Sequence, residues 1–262
     1  KTALRAKGIE VVGDATPRAP LSNQLNLGEL YPPKRGEEYR VANRSDFKKV
    51  EVGALIAGGG IAGSALFRYM AEAGMNPVLV NADRGSSWRN IGGGRTAFSL
   101  PELAEIAEHN HAIFKELQGL SNIDYKTTRY INLAHDEATF NALDASRAWS
   151  DAYMVEPKNF QKEISPYFDT KSKRYLGALI TNDCWQATPG KVVDLIRNMG
   201  IHAGGRVAED CKVLEVMKEG STYCILVLTH DKKYVEFRTD VFVNALGAGA
   251  GKICEGLGMH AG

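Results

Sequence analysis

Residues 52–85 read "VGALIAGGGIAGSALFRYMAEAGMNPVLVNADRG", and the order of features in this stretch decides the fold class. Val52, Ala54, Leu55, Ile56 and Ala57 form a short apolar run of the kind that makes a buried strand. Three glycines follow, Gly58, Gly60 and Gly63, spaced G-x-G-x-x-G. Ile61 to Ala73 then carries helical spacing, with Ile61, Ala65, Leu66, Tyr69, Met70 and Ala73 expected on the inward side. Gly74 ends that helix as a C-cap glycine does. Val78, Leu79 and Val80 supply a second strand. A β-α-β unit of about 30 residues is the crossover of a parallel sheet. The expected fold class is therefore α/β, built on a Rossmann-like nucleotide-binding domain.

The glycine spacing has a physical reading. The first glycine permits a tight turn out of the strand, the second lets a pyrophosphate approach the backbone, and the third lets helix and strand pack closely. The helix start, with Ile61 and Ala62, presents N–H groups and partial positive charge to phosphates. A purely structural glycine turn is the alternative. At the end of the second strand such sites place an acid that bonds the ribose. Here Asn81 stands there, followed by Ala82 and Asp83. Asparagine can accept and donate hydrogen bonds but forfeits the charge-assisted part. Asp83 is a candidate substitute.

Composition narrows the function classes. The 262 residues carry 32 Lys plus Arg against 31 Asp plus Glu, a net charge of +1, which gives no support for a nucleic-acid partner. No apolar run reaches the roughly 18 residues that cross a bilayer. Cys184, Cys211, Cys224 and Cys254 form no C-x-x-C pair and are read as reduced thiols, with a reducing compartment such as the cytoplasm expected. The six histidines lack ligand spacing; His109 and His111 are two apart, and all six are read as surface side chains with no metal.

Residues 1–48 mix proline, charge and scattered apolar residues and are expected to be an extended arm or linker, either loose or docked through Leu25, Leu27, Leu30 and Tyr31. From residue 49 the chain reads as one oxidoreductase-like body. Parts 49–125 and 186–262 are assigned to the nucleotide-binding portion and 126–185 to an inserted α+β portion. Within it, "SLPELAEIAEHNHAIFKELQGL" is a long amphipathic helix capped at Ser99, with Leu103, Ile106, Ile113, Phe114 and Leu117 sharing a face. Helices are expected over 136–149, 157–164 and from Pro189. Strands are expected at "TTRYINLA", "YLGALIT", "CKVLEV", "TYCILVLT", "YVEFRT" and "DVFVNAL".

Two further segments carry a resemblance. "SSWRNIGGGRTAF", Ser86 to Phe98, is a second glycine-rich stretch, and "DVFVNALGAGAGKICEGLG" is an apolar strand that ends in Asn244-Ala245 and breaks at Gly247 and Gly249. Together with Gly58–Gly63 and the helix from Pro189, they resemble the FAD-dependent amino-acid oxidase and dehydrogenase family, which includes D-amino-acid dehydrogenases, sarcosine oxidase and glycine oxidase. The resemblance covers roughly residues 50–262 and implies FAD as cofactor. It implies that Gly58, Gly60, Ile61, Ala62 and Gly63 hold the pyrophosphate, and Asn81, Ala82 and Asp83 the ribose. Ser87, Arg89, Asn90, Gly92 and Gly93 would lie along the pyrophosphate and flavin, Val213 beside the adenine, and Ala245 and Gly247 at the closing strand end. It implies oxidation of an amino acid or secondary amine by hydride transfer to flavin N5, giving an imine that water hydrolyses.

Arg95 and Thr96 are further donors near the flavin on this reading. Trp88 is read as covering the flavin or simply packing. Tyr130 and Tyr153 are read as pocket walls or core aromatics. No acid, base or nucleophile is assigned. Three departures from the family pattern matter: Asn81 replaces the acid, Gly249-Ala250 stands where the family carries Trp-Ser, and the family's later substrate-domain strands do not appear before Gly262. A further segment or partner chain is expected to supply them. The alternative is a catalytically retired FAD-fold subunit of a larger complex; simple NAD binding is a third option that the second glycine segment argues against.

Overall fold

The computed structural model describes residues 47–82, 85–169 and 174–259. The arm anchors Leu25, Leu27, Leu30 and Tyr31, and Asp83, lie outside the described residues. The chain forms two compact units. One runs from Ile91 to Thr188; the other joins the residues up to Asn90 to those from Pro189 onward.

In the second of these, β1 (Lys48–Glu51) and β2 (Ala54–Ala57) lead into α1 (Ile61–Glu72) and β3 (Pro77–Asn81). After Thr188 come α5 (Pro189–His202), β8 (Arg206–Glu209), β9 (Lys212–Glu219), β10 (Thr222–Leu228), β11 (Tyr234–Thr239), β12 (Phe242–Asn244) and α6 (Ala250–Gly256). A parallel sheet has the order β12-β2-β3-β8. Its central strands are buried along their whole length, which is why they read as unbroken apolar runs. On one face Ile56, Leu79 and Val207 pack with Phe67 of α1 and Ile201 of α5. On the other, Leu55, Ala57, Val78 and Val80 meet Val213, Ile225, Val227, Val235 and Phe237. These last belong to an antiparallel meander, β9-β10-β11, with β1 parallel beside β11.

The helix α1 is found where its pattern predicts, but its inward face is different. Gly63, Ser64, Phe67 and Ala71 are buried, while Ile61, Leu66 and Tyr69 are 43%, 42% and 52% exposed. The cause is the close approach at Gly63, which sets the rotation of the helix about its axis. Residues one, four and eight positions on then turn inward, whatever their hydropathy.

The inserted unit holds β4 (Gly93–Gly94), α2 (Pro101–Leu120), β5 (Lys126–Ala134), α3 (Glu137–Ala145), β6 (Ala152–Val155), α4 (Phe160–Glu163) and β7 (Gly177–Gln186). The long strand β7 pairs antiparallel with β5 on one side and with β6 and β4 on the other. Val155, Phe160, Ala178 and Ile180 form a core there, with Tyr153 packed against it. The boundary at 126 drawn from sequence leaves α2 with the nucleotide portion; by its contacts α2 groups with 91–188. Its N-cap is Leu100, not Ser99. It buries Ala104, Ala107, His111, Leu117 and Leu120, whereas Leu103 and Ile106 are exposed.

Candidate cofactor site

The strand β2 ends at Ala57, and the chain turns at Gly58 with φ +105°, a conformation that favours glycine. A Cβ there would drive into the carbonyl of Ala245, just past the end of β12. The turn is tied on both sides: Gly58 N–H donates to Val80 O at 2.8 Å, and Ala245 N–H donates to Ala57 O at 2.8 Å. A Cβ on Gly63 would collide with the Gly58 carbonyl, so the third glycine permits the helix to leave the strand this closely.

The helical ladder of α1 begins with Ser64 N–H donating to Gly60 O at 2.8 Å. The N–H groups of residues 60–63 therefore fall outside that ladder. Ile61 N–H donates to Ser87 Oγ at 3.0 Å. Gly60 is half-buried and Ile61 and Ala62 are exposed, so the mouth of the turn faces solvent. A side chain at Gly60 would meet only the Ser87 hydroxyl and Cβ. This is a backbone cradle open to an anion, and its residues fit the diphosphate of a dinucleotide.

Asn81 ends β3 and is 8% exposed. Its Oδ1 accepts from Gly59 N–H at 3.3 Å, and its Nδ2 donates to Glu209 Oε2 at 2.9 Å. Arg197 of α5 holds the other oxygen of Glu209 at 2.9 Å and Asp194 Oδ1 at 2.9 Å. Ala82 beyond the strand is exposed. Glu209 is a residue that sequence reasoning passed over. Its strand, "RVAE", offers only two apolar positions, too few for a periodic pattern.

In the second glycine segment, Ser86–Trp88 form a 3-10 turn, and Asn90 Nδ2 donates back to Ser87 O at 2.9 Å, which pins Ser87 over α1. Arg89 is exposed. The Trp88 ring packs where a Cβ on Gly190 would stand. Val213 lies on β9 with its side chain in the core beneath the parallel sheet. Gly247 has φ +57° in the turn that follows Ala245, and Asn244 Nδ2 donates to Ala250 O at 2.9 Å to close it.

The remaining candidates belong to the inserted unit. Gly92 O accepts from Ala187 N–H at 3.0 Å, and Gly93 pairs with Gln186. The Arg95 guanidinium lies over Phe98 and Tyr130, at 4.6 and 5.1 Å from the ring centroids. Thr96 Oγ1 donates to Asp183 O. The reading of every histidine as a surface side chain fails at His111, which is 3% exposed. Its ring stacks on Trp185 at 4.5 Å, its Nδ1 lies 3.2 Å from Asp183 Oδ2, and its Nε2 lies 2.6 Å from the Tyr125 hydroxyl. Those partners are up to 74 positions away in sequence, so helical spacing alone gave no sign of them. His111, Thr96, Glu108, Ala112, Lys115, Asp151 and Asp183 line a cleft of about 260 Å³. Among the described residues, no helix is long and apolar enough to cross a membrane.

Comparisons with known proteins agree with this geometry. The family described as FAD dependent oxidoreductase matches residues 54–261. The anaerobic glycerol-3-phosphate dehydrogenase subunit A1 of Haloferax volcanii is 26% identical over 233 residues, covering 79% of this chain and 38% of its own length. Among solved structures, L-proline dehydrogenase from P. horikoshii matches with a TM-score of 0.67 and 20% identity, over 82% of this chain and 57% of that one. L-α-glycerophosphate oxidase from Mycoplasma pneumoniae, solved with FAD bound, matches with a TM-score of 0.62 and 17% identity, over 80% and 57%. The chain thus spans well under two thirds of the length of each. With the family match spanning most of its length, this chain belongs to the FAD-dependent oxidoreductase family.

Proposed function

We propose that this chain forms the nucleotide-binding part of an FAD-dependent oxidoreductase that oxidises an amino acid or secondary amine. The observation that carries the reading is the open backbone turn at Gly58–Gly63, with Ala245 packed against its floor. Gly60 and Ala62 direct backbone N–H groups at the diphosphate, beside the Ser87 hydroxyl that holds Ile61 N–H, and the start of α1 adds partial positive charge there. Arg89 and Asn90 extend the contact toward the flavin, and the backbone at Val213 meets the adenine. The bound flavin supplies hydride acceptance; the protein binds, orients and shields it. A further segment or a partner chain completes the substrate cavity. The choice of amine as substrate follows the family resemblance and the neighbour named for L-proline. Two other relatives are named for glycerol phosphates, which makes that alcohol the competing substrate class.

The test is an absorption spectrum of the purified protein, followed by anaerobic addition of amino acids, secondary amines and glycerol 3-phosphate in turn. Two visible bands that bleach with an amine support the reading. Bleaching by glycerol 3-phosphate alone overturns the substrate class. Bound flavin that no donor bleaches favours the retired-subunit alternative, which the uncharged Asn81 also suits.

A further inference from the structure

A carboxylate, Glu209, stands one strand over from Asn81. The parallel register of β3 and β8 pairs Asn81 with Glu209, so both residues end neighbouring strands at the same height. Dinucleotide sites of this kind place an acid at the end of the second strand, where it accepts from the ribose hydroxyls. Asn81 has no charge, and its two polar atoms are already engaged, one with Gly59 N–H and one with Glu209. Glu209 has a carboxylate with about four acceptor positions. Arg197 and Asn81 hold one oxygen each, and the side chain is 28% exposed.

We propose that Glu209 is the group that accepts the hydroxyls of the adenosine ribose of FAD, with Asn81 and Arg197 as positioning residues that aim it. The inference rests on FAD binding at Gly58–Gly63 and deepens it. The asparagine is then a requirement of the arrangement. An acid at position 81 would stand beside Glu209, and like charges that close disfavour each other. Asparagine keeps the bond to Gly59 and turns the second contact into an attractive one. The charge relocates to 209, where Arg197 balances it.

The test measures FAD dissociation constants by flavin fluorescence for the wild type, Glu209→Gln, Asn81→Asp and the double variant Asn81→Asp/Glu209→Gln. Each is titrated with FAD, with an FAD analogue lacking the ribose 2′-hydroxyl, and with FMN, which has no adenosine. Glu209→Gln is expected to weaken FAD about tenfold, the loss of one charge-assisted bond. It should weaken the deoxy analogue less and leave FMN unchanged. Asn81→Asp should weaken FAD as well, and the double variant should recover most of the loss, because the charge returns to the position it occupies elsewhere. A purely structural role for Glu209 would weaken all three ligands alike and overturns the proposal. So does a tighter FAD complex with Asn81→Asp alone. A wild type that takes up no FAD overturns the cofactor reading itself, a result distinct from unequal variants of a protein that binds it.

Discussion

The Phe67 ring occupies the space that a side chain at Gly200 would need: a Cβ there would stand 2.5 Å from Phe67 Cδ1. Gly205 is matched to the other end of the same ring, also at 2.5 Å. One large residue on α1 is thus fitted to two glycines in and after α5, and Phe67 is fully buried. Phe67→Ala is expected to cost about 3–5 kcal/mol, because α1 buries no other large side chain to fill the void. Gly200→Ala adds a single carbon and should cost about 1–3 kcal/mol by overpacking. Denaturant unfolding of both variants measures the two costs. Equal stability of Phe67→Ala and wild type would overturn the packing assigned to this face.

The turn at the cofactor site should be less tolerant. In Gly63→Ala the new methyl meets the Gly58 carbonyl, a backbone atom that cannot step aside. A loss of about 3 kcal/mol or more is expected, with flavin content falling in parallel. Gly119→Ala serves as the contrast. It is exposed near the end of α2 with nothing within 4 Å of the added carbon, and should gain about 0.5–1 kcal/mol.

His111 ties α2 to β7 through Trp185 and Asp183 and to the following loop through Tyr125. Its removal in His111→Ala leaves a cavity against Trp185 and a Tyr125 hydroxyl without its partner, for a cost of about 2–4 kcal/mol. His111→Phe keeps the stack and loses only the polar contacts, so it should retain roughly half of that stability. Thermal melts of the two variants separate the ring from its nitrogens.

Burial pushes the Cys211 thiol up to about 11 from 9.0; the charges of Asp210, Asp231 and Glu209 add to the rise and a backbone contact from His230 opposes it. The sign follows from which state ionises first. The unfolded thiol loses its proton near 9 and the folded one near 11, so stability present below pH 9 is lost as pH rises through that window. The loss is on the order of 2 kcal/mol and disappears in Cys211→Ala, which pH-dependent denaturation would register. Iodoacetamide at neutral pH should leave Cys211 unmodified in the folded protein.

The β-α-β unit was legible because its signals are local: two apolar runs, a glycine spacing and a C-cap glycine within about 30 residues. Most strands of the meander and the helix from Pro189 were legible for the same reason. The phase of α1 was not, because a single tertiary contact at Gly63 overrides the apolar pattern of Ile61, Leu66 and Tyr69. The burial of His111 was hidden because its partners arrive from a strand far along the chain. Glu209 was hidden because two strands must be laid in register before its carboxylate reaches Asn81.

The short strand Lys48–Glu51 lies alongside Tyr234–Thr239, ahead of the first residue of the family match at Ala54. A fragment trimmed to that match would strip this four-residue edge strand and make the longer Tyr234–Thr239 the edge in its place. Bare rims recruit other chains. Protein begun at residue 54 should therefore self-associate more than protein begun before residue 47, a difference that light scattering would register. The four residues keep the exposed edge of the meander short.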